Sequence, residues 1–143
     1  MRRTSVGFTV IYLLDTNTCI QYFTRRSSPI VAKLSSLQRQ DVGICDIVKA
    51  ELYYGAYKGT RLESNFALYR EFFREFISLP FDGSAAEVYG RIRAYLEARG
   101  TPIGPYDLQI AAIALANNLI LVTHNTRELD RVPELRTEDW EIE

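Results

Sequence analysis

Short runs of apolar and β-branched residues alternate along this chain with amphipathic segments, which predicts strands and helices in turn. Four such runs predict strands, and they are Ile11–Leu14, Val42–Cys45, Ser78–Phe81 and Leu119–Val122. The segment around Trp140 predicts a further strand, either at an edge of the sheet or hairpin-like. Apolar strands that alternate with helices are typical of a parallel sheet covered on both faces. We therefore predict an α/β three-layer sandwich with a central, mostly parallel sheet of four to five strands and helices on both faces.

The segments between these strands predict helices, several with recognisable ends. Asn17 is expected to cap the first helix and Asp46 the third. Thr60–Ile77 is a long amphipathic segment rich in phenylalanine and tyrosine. Gly100 is placed to end the helix that Asp82 or Ser84 begins, as a glycine just past a helix often does.

The 143 residues are enough for one domain with a sizeable core, and the net charge of −1 argues against an indiscriminate nucleic-acid binder. Met1-Arg2-Arg3 and the apolar run after it resemble a secretory signal, but the run is short and ends at Asp15. We predict an N-terminal extension over 1–10 and one domain over 11–143. Cys19 and Cys45 are expected to be buried and reduced in a cytoplasmic protein, and no stretch approaches the length of a membrane-spanning helix.

Four polar residues occupy equivalent places in this predicted fold. Asp15 and Asn125 lie just past the carboxyl ends of strands, Glu51 lies in the helix after the second strand, and Asp107 lies in the first turn of the helix before the fourth strand. In an open α/β sheet these places surround one crevice. Three carboxylates there would repel one another unless a cation lay between them, and oxygen ligands favour Mg2+, with Mn2+ as an alternative. Such a site supports hydrolysis of phosphodiester bonds by metal-activated water.

Each of these residues also has an ordinary structural interpretation. Asp15 could be a strand-end residue, Glu51 a solvated helix charge, Asp107 a partner of the helix dipole, and Asn125 a helix cap. His124 is the single histidine of the chain, and a lone histidine is more often structural or exposed than catalytic. We assign it no chemistry from the sequence.

Four motifs in order, from Ile11 to Trp140, resemble those of the PIN-domain ribonucleases of the VapC toxin family. They are Leu14-Asp15-Thr16-Asn17, then Ala50-Glu51-Leu52 with Tyr54-Gly55-Ala56, then Pro102–Asp107 with Ile110-Ala111-Ala112, and finally Val122–Glu128. The tail Arg136–Trp140 resembles the branch described as cleaving initiator tRNA. The resemblance implies a PIN-like fold and an endoribonuclease toxin that acts on RNA, with tRNA among its substrates. It also implies a VapB-type antitoxin that covers the site, and complexes built on a toxin homodimer.

By the same resemblance, Asp15, Glu51 and Asp107 fall at the Mg2+-binding and catalytic positions. Asn125 falls at a fourth catalytic position that many PIN domains fill with aspartate, which favours one metal ion over two. Thr16 and Thr123 fall at polar positions that help to arrange the site. The aromatic segment from Tyr53 to Phe76 is our candidate for antitoxin and dimer contacts.

Two alternative functions remain open at this level. Asp15-Thr16-Asn17-Thr18 approximates the DxDxT motif of HAD-like phosphatases, in which the first aspartate is the nucleophile, although Asn17 replaces the second aspartate. The chain could also be a non-catalytic, PIN-like module that only binds a partner. Three converging carboxylates would be an unexplained cost in such a module.

Overall fold

The fold, seen in a computed structural model, is described for residues 10–24 and 28–142, with Ser28 described by its backbone alone. The five strands in this part of the chain are β1 (Tyr12–Leu14), β2 (Val42–Cys45), β3 (Ile77–Leu79), β4 (Ile120–Val122) and β5 (Arg136–Glu138). The α-helices there are α1 (Thr16–Phe23), α2 (Ser28–Ser36), α3 (Asp46–Lys58), α4 (Leu62–Arg74), α5 (Gly83–Ala98), α6 (Pro105–Ala116) and α7 (Thr126–Leu129).

The strands form one sheet in the order β3-β2-β1-β4-β5, and every neighbouring pair is parallel. This confirms the predicted α/β class and the strand number at the upper end of the predicted range. The last strand pairs with β4 from Ile120–Arg136 to Val122–Glu138 and lies at the edge of the sheet. The prediction of an edge strand near the C-terminus is therefore correct, whereas the hairpin alternative is wrong because β5 runs parallel to its neighbour.

Strand order explains both the layers and the position of the crevice. The chain moves from β1 through β2 to β3 in one direction, then returns past β1 to β4 and β5. Because parallel crossovers are right-handed, connections that run in opposite directions place their helices on opposite faces. The direction reverses at β1, and ligand sites of such sheets lie beyond the carboxyl ends of the strands at this reversal.

Both faces of the central strands are covered, which is why these strands are apolar throughout. Leu13, Leu14, Ile44, Leu121 and Val122 have no solvent-exposed surface. Burying a side chain of this size stabilises the fold by about 1.5–3 kcal/mol. Polar residues are thus confined to the ends of these central strands.

The aromatic segment on α3 and α4 serves partly as core. Phe72, Phe73 and Phe76 are buried, and the Phe73 ring meets Tyr53 edge to face at 5.4 Å. Tyr54 and Tyr57 on the same segment are exposed. The proposal of partner contacts on this segment thus concerns its exposed rim rather than its phenylalanines.

Several element ends differ from the sequence-based expectation. The cap of α1 is Asp15 and not Asn17, because the Asp15 carboxylate accepts the N–H of Thr18 at 2.8 Å. Helix α4 ends at Arg74, and β3 begins one residue earlier than expected. Asp82 does cap α5, and Gly100 after it has a left-handed φ of 71°.

No helix among the described residues is long and apolar enough to cross a membrane. The predicted extension over 1–10 falls, apart from Val10, outside the described residues, and the division of the chain into an extension and a domain stays a prediction.

Candidate active site

A cleft of about 390 Å³ opens at the carboxyl edge of the sheet, where β1 and β4 end. Five of the six predicted site residues line it, together with three further residues: Asp15, Thr16, Glu51, Asp107 and Asn125, with Asn17, Ile20 and His124. The sixth, Thr123, is completely buried at the end of β4. The structure thus brings the predicted set together, while the catalytic and metal-binding roles assigned to its members stay predictions.

Asp15 lies at the junction of β1 and α1, and only 7% of it is exposed. Burial raises the pKa of its carboxyl, and hydrogen bonds from Thr123 and Thr18 partly oppose that rise. The backbone N–H of Asp15 donates to the carbonyl of Val122 at 3.1 Å, which ties the residue to β4. One residue therefore ends a strand, caps a helix and presents a carboxylate to the cleft.

The Thr123 hydroxyl links the two central strands at the base of the site. It accepts the backbone N–H of Asn125 at 3.0 Å and hydrogen-bonds the Asp15 carboxylate. A hydroxyl can do both because it carries one donor and two acceptor sites. Thr123 therefore fixes Asp15 relative to the turn that carries Asn125.

Glu51 reaches the cleft from the second turn of α3. Its Oε1 accepts a hydrogen bond from the Thr16 hydroxyl, with 2.5 Å between the oxygens. Thr16 is the first residue of α1, directly after Asp15. This contact couples α3 to α1 and sets the direction of the Glu51 carboxylate.

Asp107 enters from the first turn of α6, as predicted, and is half-buried. Burial raises the pKa of its carboxyl, the charge of Asp15 raises it further, and Glu51 and Glu128 add to the rise. The Asn125 amide lies between two of these acids: its Nδ2 is 3.4 Å from Asp107 Oδ2 and 3.1 Å from Glu128 Oε1. Asn125 thus donates to the acids at a point where an aspartate would add a further negative charge.

Sequence reasoning missed three residues around the cleft. Glu128 on α7 shares the Asn125 amide with Asp107, and Asp139 after β5 contributes to the raised pKa of Asp15. His124 lies in the cleft, and its Nδ1 is 2.9 Å from Asp139 Oδ2. Asp139 follows the carboxyl end of a parallel strand, as Asp15 does, and an earlier assignment of β5 as parallel could have found it.

The donor chemistry of the cleft suits a hard divalent cation, but its carboxylates are not closed into a cage. Among residues 10–24 and 28–142, no three histidine, cysteine, aspartate or glutamate side chains are grouped closely enough to hold a metal ion together. Each predicted ligand is instead drawn to a hydrogen-bond donor, as described above. Mg2+ needs only one or two protein carboxylates and retains several waters, so the oxygen donors of this cleft fit it without a closed cage.

Residues 12–135 match the PIN domain. The chain thus falls in the PIN-domain class of proteins, and its parallel five-stranded sheet carries the acidic residues at the carboxyl edge. The chain is 42% identical over 130 residues to the tRNA(fMet)-specific endonuclease VapC of Salmonella typhimurium, which covers 90% of this chain and 97% of that protein. It is 39% identical over 132 residues to Ribonuclease VapC2 of Haemophilus influenzae, covering 90% and 97%. A crystal structure of DNA-bound VapBC from Salmonella typhimurium contains a chain that superposes with a TM-score of 0.87 at 39% identity, covering 92% of this chain and 99% of that one. The protein therefore belongs to the VapC family of PIN-domain proteins.

Proposed function

We propose that this protein is the toxin of a type II toxin–antitoxin pair and acts as a Mg2+-dependent endoribonuclease. The observation that carries the proposal is the convergence of Asp15, Glu51 and Asp107, from three separate helices or helix starts, on one cleft. Relatives that share 39–42% identity across nine-tenths of the chain are named as endonucleases or ribonucleases. PIN-domain nucleases generally depend on a divalent metal ion, which agrees with an oxygen-rich cleft.

In this proposal Asp15, Glu51 and Asp107 would bind the cation together with the waters that Mg2+ retains, so that they need not close into a cage around it, and Mn2+ could substitute for Mg2+. When bound, such an ion would lower the pKa of a water and offset negative charge on the phosphate. The remaining residues hold the carboxylates in place: Thr123 orients Asp15 and Thr16 orients Glu51. Asn125 donates to Asp107 and so favours its ionised form, which is the form that binds a cation.

The relatives also suggest the substrate and the partner. Because the Salmonella typhimurium relative is named for tRNA(fMet), initiator tRNA is the first substrate to test, and such a substrate would place the activity in the cytoplasm. The structural neighbours are VapBC complexes, so we propose a VapB-type antitoxin as the partner. A homodimer within that complex belongs to the same proposal.

Neither alternative function gains support from the structure. The phosphatase alternative requires Asp15 to attack phosphorus, yet this carboxylate is buried and receives hydrogen bonds from Thr18 and Thr123. A non-catalytic module would gain nothing from a half-buried carboxylate such as Asp107, whose pKa is raised by burial and then by the charges of Asp15 and Glu51. Both alternatives are outcomes of the same assay.

The assay incubates the purified protein with initiator tRNA and, separately, with a pool of elongator tRNAs, in Mg2+ or in EDTA. We expect cleavage in Mg2+ alone, stronger on initiator tRNA, with defined ends when the products are sequenced. Glu51→Gln should be inactive, whereas Arg74→Gln, on the exposed end of α4, should cleave as the unmodified protein does. Uncut RNA with tight antitoxin binding would favour the non-catalytic module, and release of phosphate from small esters would favour the phosphatase.

A further inference from the structure

The cleft presents an electrostatic problem to a nucleic-acid substrate. Asp15, Glu51 and Asp107 line it, and the charges of Glu128 and Asp139 act on these acids from close by. RNA carries a negative charge at every phosphate, and a single divalent ion cannot offset both this charge and that of the carboxylates. Among the described residues that line the cleft, none is lysine or arginine, and His124 is the one side chain that can become positively charged.

His124 is held in one direction by the segment that follows β5. Its Nδ1 lies 2.9 Å from Asp139 Oδ2 and 3.8 Å from Glu141 Oε1. Asp139 is itself fixed, since its side chain is 11% exposed and its Oδ1 accepts the backbone N–H of Glu141 at 2.9 Å. With Nδ1 directed at Asp139, Nε2 is the ring nitrogen that can reach a ligand in the cleft.

The exposure of His124 argues against a purely structural role. Its side chain is 60% exposed, whereas Asp139 beneath it is nearly covered. A histidine whose task was only to hold the C-terminal segment could be covered as well. The hydrogen bond that the ring donates to Asp139, together with the charges of Glu141 and Asp139, raises the pKa of His124. That change favours the form in which both ring nitrogens donate hydrogen bonds.

We propose that His124 contacts an RNA backbone phosphate beside the scissile bond through Nε2, and that Asp139 is the residue that positions it. This proposal rests on the function proposed above, because it takes RNA as the ligand of the cleft. His124 would supply a positive charge to the cleft from the turn that follows β4, next to the segment that follows β5. Asp139 does not touch RNA and acts through the imidazole.

The experiment measures binding separately from cleavage. Asp107→Asn serves as a background that binds without cutting, and the probe is a short fluorescein-labelled single-stranded RNA in a series of KCl concentrations with fixed Mg2+. The logarithm of the association constant is plotted against the logarithm of the KCl concentration. Loss of one phosphate contact should make the slope of this plot less negative by ~0.7, and the affinity at low salt should fall about fivefold. We expect these changes for His124→Gln in this background. Asp139→Asn should show a smaller loss, because an amide oxygen still accepts from Nδ1.

Two further variants separate the contact from a structural effect. His124→Lys keeps a positive charge without the imidazole and should retain the slope of the background protein. Arg74→Gln removes a positive charge at the far edge of the sheet, beside β3, and should leave the slope unchanged. If His124→Lys loses the slope as His124→Gln does, the role is structural and the proposal is wrong.

The outcomes also distinguish this inference from the proposed function. If the unmodified protein cleaves RNA while His124→Gln binds with the same slope as Arg74→Gln, the nuclease assignment stands and the phosphate contact is refuted. If the unmodified protein does not cleave but the slope changes as expected, the contact stands and catalysis is refuted. If the Asp107→Asn background has no measurable affinity for RNA, the same salt series is run on the unmodified protein in EDTA, where it is expected not to cleave, and an unchanged slope for His124→Gln under those conditions would refute the phosphate contact.

Discussion

Asp15→Asn should stabilise the protein in the absence of divalent metal, although it replaces a residue of the candidate active site. The substitution keeps the helix cap, because an asparagine oxygen can accept the Thr18 N–H that Asp15 accepts at 2.8 Å. The substitution removes the negative charge of a nearly buried carboxyl group, whose pKa is raised by burial. A group with a raised acid pKa in the folded state favours folding when protonated, and this contribution is lost as pH rises through that pKa. The advantage of asparagine therefore grows towards neutral pH.

We expect a gain of about 1 kcal/mol in the free energy of unfolding at pH 7.5 in EDTA, or a rise in Tm of ~3 °C for a chain of this size. Asp15→Ala is the matched control, since it removes the same charge but also the cap. It should be less stable than Asp15→Asn by about 1 kcal/mol, the usual contribution of an N-cap side chain.

Added Mg2+ should reverse the order of stability. A ligand that binds only the folded state stabilises it by about 2.7 kcal/mol at one hundred times its Kd, and Asp15→Asn should gain far less. The measurement is urea unfolding of the three proteins in EDTA and in Mg2+. If Asp15→Asn is less stable than the unmodified protein in EDTA, or gains as much from Mg2+, the reasoning about this carboxylate is refuted.

Three further substitutions or treatments test the surroundings of the site. Thr123→Val should lower the free energy of unfolding by about 2 kcal/mol in urea titrations, because it leaves the buried Asp15 carboxylate and the partly buried N–H of Asn125 without their hydroxyl partner. Thr123→Ser keeps the hydroxyl and should lose only about 1 kcal/mol, so equal losses would contradict the bridging role. Asn125→Asp should lower the free energy of unfolding in EDTA by up to about 1 kcal/mol, because a hydrogen-bond donor between Asp107 and Glu128 becomes a third negative charge. Added Mg2+ should restore the lost stability. An unchanged stability in EDTA would show that these charges do not interact. Cys19 and Cys45 should resist thiol reagents at pH 8 until urea unfolds the chain, because both are buried. The pKa of the Cys45 thiol is raised to about 11, and that of Cys19 is also raised. Labelling of the native protein, detected by mass spectrometry, would contradict this burial.

The fold was predictable because its signals are local. Strands such as Val42–Cys45 are buried on both faces and therefore apolar at every position, which separates them from helices without any tertiary information. Asp82 and Gly100 mark the ends of α5 by side-chain chemistry and backbone conformation that depend on few neighbours. Element type was thus recoverable, while some boundaries were displaced.

The displaced boundaries share a physical cause. Asn17 is a good capping residue by type, but Asp15 is the one whose backbone is extended and whose carboxylate meets the Thr18 N–H. In the sequence Asp15 stands out as a strand-end residue, so its role as the helix cap was not predicted. The four residues Asp15, Glu51, Asp107 and Asn125 were found from the predicted parallel sheet. Each of them lies after a strand, or in a helix turn close to the edge at which the strands end.

The residues around these four could not be deduced from sequence, because their roles depend on contacts between distant segments. His124 and Asp139 are fifteen residues apart and meet only because β5 pairs in parallel with β4. Glu128 becomes part of the acidic cluster only through the Asn125 amide. A lone histidine and a helix acid such as Glu128 carry no pattern that would distinguish them from surface residues, and Asp139 can be located only once β5 is known to run parallel to β4.

The central claim is that carboxylates at this edge of the sheet cleave RNA with a divalent cation. Single-turnover cleavage of initiator tRNA across a Mg2+ titration tests this claim most directly. For the unmodified protein the rate should rise from zero in EDTA to a plateau, and Asp107→Asn should remain below one-hundredth of it, as loss of about 3 kcal/mol of transition-state stabilisation would give. A rate for the unmodified protein that does not change with Mg2+, or an Asp107→Asn rate close to its plateau, would contradict the claim.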